Sequence, residues 1–243
     1  MVTRVLILAG TSEARALAAR LSVETGFHVI ASLAGVTTSP EHYPVEIRTG
    51  GFGGADGLAR WMREADISAL INATHPYATK MQDNVATASA ASGIPNVRLL
   101  RPAWQIRPEW SVVTDLEAAA AALPAGSRTL LTTGQKDIAP FARRSECSMV
   151  LRTIEPPGDL PPHIQAMTAR PPFSFDQECA TLGLLGITHL VSKNAGGTGT
   201  SKLDAAGSLR LKIIMVDRPP LPSGPIVETV EDAVAWLIRT VAN

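Results

Sequence analysis

The residues best suited to chemistry follow short apolar runs of the chain, where glycine, hydroxyl and cationic residues cluster. Gly10-Thr11-Ser12-Glu13 comes directly after such a run and directly before a helical pattern. Gly10 permits a tight turn and a close approach of a ligand, and the N–H groups at a helix start favour an anion. The usual three glycines of a dinucleotide fingerprint are missing, so an ordinary capped turn fits the same residues.

Three further clusters point to anion binding or proton transfer. Asn72-Ala73-Thr74-His75-Pro76-Tyr77 carries a histidine and a tyrosine at a predicted strand end, where binding and proton-transfer residues commonly lie. Thr133-Gly134-Gln135-Lys136 combines a hydroxyl group, a glycine and a cation that suit a carboxylate or a phosphate. Residues 192–202, SKNAGGTGTSK, add two lysines and an amide, without the order of a P-loop. The alternative for each cluster is a structural or solvated turn.

Two loops bear on the choice of cofactor. Residues 32–38, SLAGVTT, contain no acid, and the first one comes at Glu41. Because an acid near this point takes the ribose hydroxyl group of NAD, its absence favours NADP. Within residues 48–54, RTGGFGG, four of the last five residues are glycines, which lets a flat ligand approach the backbone. The alternative is a flexible surface loop.

Alternating strand and helix patterns must position these clusters. Apolar runs predict strands at 5–9, 29–33, 45–47, 69–73, 97–100, 129–132, 149–154, 188–192 and 211–216. Helical spacing predicts helices at 14–21, 58–65, 81–92, 138–142, 174–185, 201–206 and 229–242. Residues 101–110 look like a hinge, and 155–172, with six prolines, mostly like a loop. The predicted fold is α/β, with two Rossmann-like lobes, 1–100 and 101–243. Each lobe is a mainly parallel sheet flanked by helices, with a ligand cleft between the lobes.

Bulk composition excludes several classes of function. The formal net charge is +0 and aromatic residues are 5%, so neither nucleic acid nor an anionic membrane is an expected partner. The first apolar run is too short for a signal peptide or a membrane span. Cys147 and Cys179 form no CxxC pair, which favours a reducing compartment, and the cytoplasm is the expected location. The histidines lack metal-ligand spacing and no GxSxG elbow is present, so neither a metal site nor a hydrolase is predicted.

Seven stretches follow one another along the chain: ILAGTSEARALA, NATHPYA, LLRPAW, TTGQKDIAPF, RPPFSFDQE, SKNAGGTGTSKLDAA and IIMVDRP. Taken together, these stretches resemble the precorrin-6A reductase family of cobalamin biosynthesis. The resemblance implies hydride transfer from NADPH to a double bond of a corrin macrocycle that carries many carboxylates. Beside this corrinoid substrate, neighbouring enzymes of the cobalamin pathway are expected partners.

The resemblance and the strand ends together assign candidate roles. The expected NADPH-binding residues are Gly10, Thr11, Ser12, Glu13, Ser32 and Gly35. The expected substrate-binding residues are Gly51, Thr74, His75, Tyr77, Arg101, Thr133, Gly134, Lys136, Ser192, Lys193, Asn194, Gly196, Gly197 and Lys202. Tyr77 is the first choice for the proton donor and His75 the second, with solvent or a substrate carboxylate as the alternative. Glu13 would repel a phosphate and is expected to meet a ribose or an amide donor instead.

Three other functions stay open. One is the reduction of the cobalt-containing precursor in the anaerobic route. Another is a different NADP-dependent reductase with the same plan of lobes. A third is a two-lobed protein that binds a small anion without catalysis.

Overall fold

A computed structural model of the chain describes residues 2–35, 42–221 and 224–242. These residues form two compact units, of which the first comprises the chain up to Pro102 and from Pro219 onward. The second unit is Ala103–Arg218.

Within the described ranges the chain forms twelve strands and eight α-helices. The strands are β1 (Thr3–Leu8), β2 (Phe27–Leu33), β3 (Glu46–Thr49), β4 (Ala69–Asn72), β5 (Asn96–Leu99), β6 (Ser111–Val113), β7 (Arg128–Leu131), β8 (Ser148–Thr153), β9 (Ile164–Thr168), β10 (His189–Lys193), β11 (Lys212–Val216) and β12 (Ile226–Val227). The helices are α1 (Ser12–Ser22), α2 (Ala55–Glu64), α3 (Thr79–Ser92), α4 (Leu116–Ala121), α5 (Ala139–Ala142), α6 (Phe175–Leu184), α7 (Ser201–Ser208) and α8 (Val230–Val241).

The first unit contains a six-stranded sheet in the order β12-β5-β4-β1-β2-β3. Every neighbouring pair is parallel. The chain proceeds outward from β1 to β3 on one side and from β4 to β5 on the other, so the winding direction reverses between β1 and β4. Ligands of doubly wound sheets bind outside the carboxyl ends of the strands at such a reversal.

Helices cover both faces of this first sheet. One core cluster joins β1, β2 and β4 to α1 and α8, and the other joins them to α2 and α3. The central strands are buried on both faces, which explains why they read as continuous apolar runs rather than as alternating patterns. Helix α1 begins where Thr11 caps it, because the Thr11 side chain accepts a hydrogen bond from the Ala14 N–H group.

The second unit repeats the plan, with the sheet order β6-β11-β10-β7-β8-β9, again parallel throughout. The reversal here lies between β7 and β10. One of its core clusters contains Trp110, Leu130, Leu190 and Leu203. Helix α6 begins with a capping box of Ser174 and Gln177, close to the predicted helix start at residue 174. The predicted class, two parallel α/β sheets flanked by helices, is confirmed.

The predicted extent of the second lobe, 101–243, requires a correction. Residues from Pro219 onward belong to the first unit. Strand β12 pairs with β5, and the apolar stripe of α8 packs against α1, β4 and β5. The return of the chain depends on these long-range contacts, which no local pattern reports.

The sequence patterns also missed four elements. Strand β9 lies within 155–172, which was predicted to be mostly loop, and α4 contains most of an alanine run. Strands β6 and β12 are the others, and both are short edge strands with exposed residues.

Candidate active site

The turn after β1 leaves open space above its backbone. Gly10 has a φ of +118°, which favours glycine, and among the described residues no heavy atom comes within 4 Å of a Cβ built there. The Thr11 hydroxyl group donates to the Ala73 carbonyl over 2.7 Å, which ties the turn to the end of β4. The two strand ends at the reversal of the first sheet are therefore joined directly.

The start of α1 has the features of an anion site. Thr11 Oγ1 accepts from the Ala14 N–H group over 3.1 Å. The N–H groups of Ser12 and Glu13 lie in the first turn, where no carbonyl group of the helix can accept from them. Together with the helix dipole, these N–H groups favour a phosphate in front of the helix. The fit to the pyrophosphate of a dinucleotide is therefore good in charge and in space.

Glu13 forms an ion pair at this helix start. Arg101 Nη1 lies 2.5 Å from Glu13 Oε2, and the side chains of Arg101 and Glu13 are 15% and 25% exposed. Ser12 Oγ donates to the same carboxylate oxygen over 3.2 Å. Because Arg101 balances its charge, Glu13 can lie beside a phosphate site with little net repulsion. The predicted cofactor residue Glu13 and the predicted substrate residue Arg101 are thus partners.

The turn after β4 is held by its own side chains. The buried Asn72 Oδ1 accepts from Thr74 N over 3.2 Å and from Thr74 Oγ1 over 2.8 Å. Gln82, also buried, donates its side-chain amide to the Pro76 carbonyl over 2.9 Å. Asn72 and Gln82 were not assigned a role from sequence, since their effect depends on which backbone groups they reach.

His75 and Tyr77 lie side by side in this turn. Their ring centroids are 5.7 Å apart, and the Tyr77 N–H group donates to His75 Nδ1 over 3.3 Å. A neutral ring that accepts at Nδ1 carries its proton on Nε2, so His75 presents a donor at the other end of the ring. Both side chains are partly exposed. The structure thus groups the two candidate proton donors.

Arg48 lies near the end of β3, beside Ser32 of β2, and has no role predicted from the sequence. Its Nη1 donates to Ser32 Oγ over 3.3 Å and to the Gly50 carbonyl over 2.6 Å, and its Nη2 donates to the Gly51 carbonyl over 2.9 Å. Ser32 is 6% exposed. Gly35 adopts a φ of +73°. The predicted hydroxyl residues 37 and 38, and Glu41, lie outside the described residues.

In the second unit, the loop after β7 contains Lys136 and also Asp137, which pairs with Lys193 at the end of β10. Lys136 is exposed. Lys193 Nζ forms an ion pair with Asp137, a partner that was not predicted. Gly134 has a φ of +99°, and the buried Thr133 Oγ1 has no hydrogen-bond partner within the described part of the chain. The structure therefore brings together the ends of β7 and β10, as the strand order requires.

Asn194 holds the loop after β10 to Trp104. Asn194 Oδ1 accepts from Trp104 N over 2.8 Å, and Asn194 Nδ2 donates to the Trp104 carbonyl over 3.1 Å. Trp104 Nε1 in turn donates to the Gly197 carbonyl over 2.7 Å. Asn194 is only 2% exposed, so its evident effect is to shape the loop, and Gly196 and Gly197 in that loop have φ values of +71° and +81°.

Lys202 connects the start of α7 to the end of β7. Its Nζ donates to Thr132 Oγ1 over 3.2 Å and lies 5.4 Å from the centroid of the Trp104 ring. Ser192, which is fully buried, donates to the Lys193 carbonyl over 3.2 Å. Of the predicted set in this unit, Lys136, Lys193 and Lys202 are at least partly exposed, whereas Thr133, Ser192, Asn194 and Gly196 are buried.

Across residues 2–35, 42–221 and 224–242, no group of histidine, cysteine or carboxylate side chains is arranged to hold a metal ion. In the same ranges, no helix is both long and apolar enough to cross a membrane.

Comparison with known proteins identifies the family. The family model described as precorrin-6x reductase CbiJ/CobK matches residues 4–238. The chain belongs to this family. The match includes both units, and it includes the C-terminal segment that returns to the first unit.

Individual members of the precorrin-6x reductase family are similar over nearly their full length. The chain is 44% identical to the precorrin-6A reductase of Rhodococcus erythropolis, over 97% of this chain and 98% of that protein. It is 28% identical to the cobalt-precorrin-6A reductase of Priestia megaterium, over 97% and 98%. A solved structure of CobK precorrin-6A reductase superimposes with a TM-score of 0.92 at 40% identity, covering 98% of this chain and 97% of that one.

Proposed function

We propose that this enzyme reduces precorrin-6A to precorrin-6B in cobalamin biosynthesis with NADPH as the hydride source. The observation that carries the proposal is the pattern of identities within the family. Relatives named precorrin-6A reductase are 38–44% identical to the chain, whereas those named cobalt-precorrin-6A reductase are 25–28% identical. This difference favours the metal-free macrocycle as substrate.

The first unit is the proposed cofactor-binding unit. Gly10, Thr11 and Ser12 would hold the pyrophosphate, an assignment supported by the open space at Gly10 and the N–H groups at the start of α1. When bound, the nicotinamide supplies the hydride, so the protein needs to orient the reactants rather than provide a metal or a nucleophile. The Glu13–Arg101 pair keeps the cofactor turn electrically balanced.

The proton that follows the hydride is assigned to the turn after β4. Tyr77 is the proposed donor and His75 the second candidate. The support is their position at the reversal of the first sheet, their proximity and the Nε2–H group that the Tyr77–His75 hydrogen bond leaves on the imidazole. Asn72 and Gln82 hold the turn in place.

The second unit is the proposed macrocycle-binding unit. A substrate with many carboxylates needs cationic and hydroxyl donors at defined points rather than a high net charge. Lys136, Lys193 and Lys202 supply the cations. Lys193 is paired with Asp137, and Lys202 donates to the Thr132 hydroxyl group. Substrate carboxylates would therefore compete with Asp137 and Thr132 for these two ammonium groups.

The proposal includes a cytoplasmic location. Cys147 and Cys179 are both free thiols, which suits a reducing compartment.

The test is to mix the enzyme with precorrin-6A under anaerobic conditions and to follow the nicotinamide absorbance. NADPH is expected to be oxidised in step with loss of precorrin-6A, and NADH much more slowly. Parallel reactions with cobalt-precorrin-6A decide between the two family substrates. If precorrin-6A binds but leaves NADPH unoxidised, the proposal is wrong and a binding protein or a different reductase takes its place.

A further inference from the structure

The position of Arg48 in the first sheet suggests a role in cofactor choice. Strand register places Arg48 beside Ser32, at the carboxyl ends of β3 and β2. In doubly wound sheets, the end of the second strand lies near the adenosine ribose of a bound dinucleotide. A dinucleotide bound in this way would bring the ribose carbon at which NAD and NADP differ close to Arg48.

The guanidinium group of Arg48 is fixed in a defined plane. It lies 3.8 Å from the centroid of the Phe52 ring and 5.3 Å from that of Trp61. Ser32 Oγ and the carbonyl groups of Gly50 and Gly51 accept hydrogen bonds from its two terminal nitrogens. A guanidinium group that is held in place loses less conformational freedom when it binds an anion.

Neutral and polar acceptors surround Arg48 in the described residues, and none of the contacts given above comes from a carboxylate. Its positive charge is thus not balanced by an ion pair there. Partial burial lowers the pKa of Arg48 from its usual value, but an arginine stays protonated near neutral pH. The site keeps a net positive charge that suits a phosphate.

Within the described residues, the end of β2 lacks the acid that recognises NAD. Residues 32–35, Ser-Leu-Ala-Gly, include no acid to accept a hydrogen bond from the ribose 2′-hydroxyl group. A cation and a buried hydroxyl group take that place.

We propose that Arg48 binds the 2′-phosphate of NADPH and sets the preference of the enzyme for NADPH over NADH, with Ser32 positioning its guanidinium group. This inference rests on the proposed function, because it specifies a part of the cofactor that the reductase uses. Arg48 would determine cofactor specificity, which the turn at Gly10 cannot do because NADH and NADPH carry the same pyrophosphate.

The test measures binding of two nucleotides by calorimetry, with no macrocycle present. Adenosine 2′,5′-bisphosphate carries the 2′-phosphate, and adenosine 5′-monophosphate lacks it. In Arg48→Gln, the affinity for the bisphosphate is expected to fall by about ten- to a hundredfold, because a charge-assisted hydrogen bond is lost. The affinity for the monophosphate is expected to stay the same.

Two further variants separate recognition from folding. Arg48→Lys keeps the charge but loses the planar fork, so a smaller loss of bisphosphate affinity is expected. Arg60→Gln removes an exposed arginine of α2 and is expected to leave both affinities unchanged. Thermal unfolding of each variant shows whether the fold is intact, and Arg48→Lys carries the test if Arg48→Gln does not fold.

The outcomes distinguish this inference from the proposed function. If the wild-type enzyme prefers the bisphosphate and both Arg48 variants keep that preference in full, the role of Arg48 is overturned while NADPH use stands. Equal losses for both nucleotides would mean that Arg48 only shapes the glycine loop, which also overturns it. A wild-type enzyme that binds neither nucleotide would contradict the proposed cofactor itself.

Discussion

Glu13 lies at a helix start that is suited to phosphate, and Arg101 Nη1 is 2.5 Å from its carboxylate. An unpaired carboxylate at this point would oppose an anionic cofactor, because both charges are negative and the site is partly shielded from water. The ion pair removes that conflict. It also fixes Arg101, near the end of the first chain segment of the unit, to the turn after β1.

Breaking this pair from one side is expected to harm cofactor binding. Arg101→Gln leaves the Glu13 carboxylate uncompensated, and the affinity for NADPH is expected to fall by about tenfold, which corresponds to ~1.4 kcal/mol. The double variant Glu13→Gln/Arg101→Gln is expected to recover most of the affinity. Fluorescence titration with NADPH provides the measurement. A double variant that binds no better than Arg101→Gln would show that Arg101 itself contacts the cofactor.

Tyr77 is the residue on which the proton-transfer proposal depends. Tyr77→Phe keeps the ring beside His75 but removes the phenol, so kcat is expected to fall by about a hundredfold or more with KM little changed. The chain's other tyrosine provides the control, and Tyr43→Phe is expected to leave kcat near the wild-type value because Tyr43 is buried in the core. An unchanged kcat in Tyr77→Phe at saturating substrate would transfer the role to His75 or to solvent.

At the scale of elements, the loop after β10 is shaped from a distant part of the chain. Asn194 pairs with both backbone groups of Trp104, and Trp104 pairs with Gly197 in the same loop. The loop is therefore ordered by a closed set of hydrogen bonds rather than by its glycines alone. This arrangement fixes the backbone of the loop that connects Lys193 to Lys202.

Removing this support is expected to affect stability before chemistry. Asn194→Ala leaves the N–H and C=O groups of Trp104 without their side-chain partner, and the free energy of unfolding is expected to fall by about 1–3 kcal/mol. Urea denaturation measures the loss. Asn194→Asp retains the acceptor for the Trp104 N–H group but not the donor, so an intermediate loss is expected. If Asn194→Ala is as stable as the wild type, the loop does not depend on this contact.

Some helices and strands could be predicted from the sequence and others could not. Central strands such as β1 and β4 were predicted because they are buried on both faces and carry uninterrupted apolar residues. Strand β9 was missed because prolines flank it and only Ile164 is buried. The site shows the same division. The position of the candidate loops at strand ends was predicted, but the Arg101–Glu13 and Asn194–Trp104 pairs join residues that are 88 and 90 positions apart, which no spacing rule connects.

At the scale of the whole molecule, the two units share one strand order, and each obtains an edge strand from outside its own strand–helix series. Strand β12 is added to the first sheet beside β5, and β6 is added to the second beside β11. The first unit is consequently complete only when the C-terminal segment has returned to it. That segment supplies Ala233, Val234 and Leu237 to the core around β1 and α1.

The return of α8 makes a direct prediction for stability. Leu237 is fully buried, so Leu237→Ala is expected to lower the free energy of unfolding by about 2–5 kcal/mol. Ile238 is the next residue of the same helix and is 48% exposed, so Ile238→Ala is expected to cost about 1 kcal/mol or less. Chemical denaturation followed by tryptophan fluorescence compares the two. Equal losses would mean that α8 does not pack on the first unit as described.

The proposed reaction transfers a hydride from NADPH to the corrin macrocycle. The most direct measurement is a single turnover with precorrin-6A and NADPH deuterated at the hydride-bearing carbon, followed by mass spectrometry of the product. Each of the two deuterated stereoisomers is used in a separate reaction. One stereoisomer is expected to deliver a single deuterium to the reduced macrocycle, and the other none. A reduced product that is unlabelled in both reactions, or no reduced product, would contradict the proposed hydride transfer.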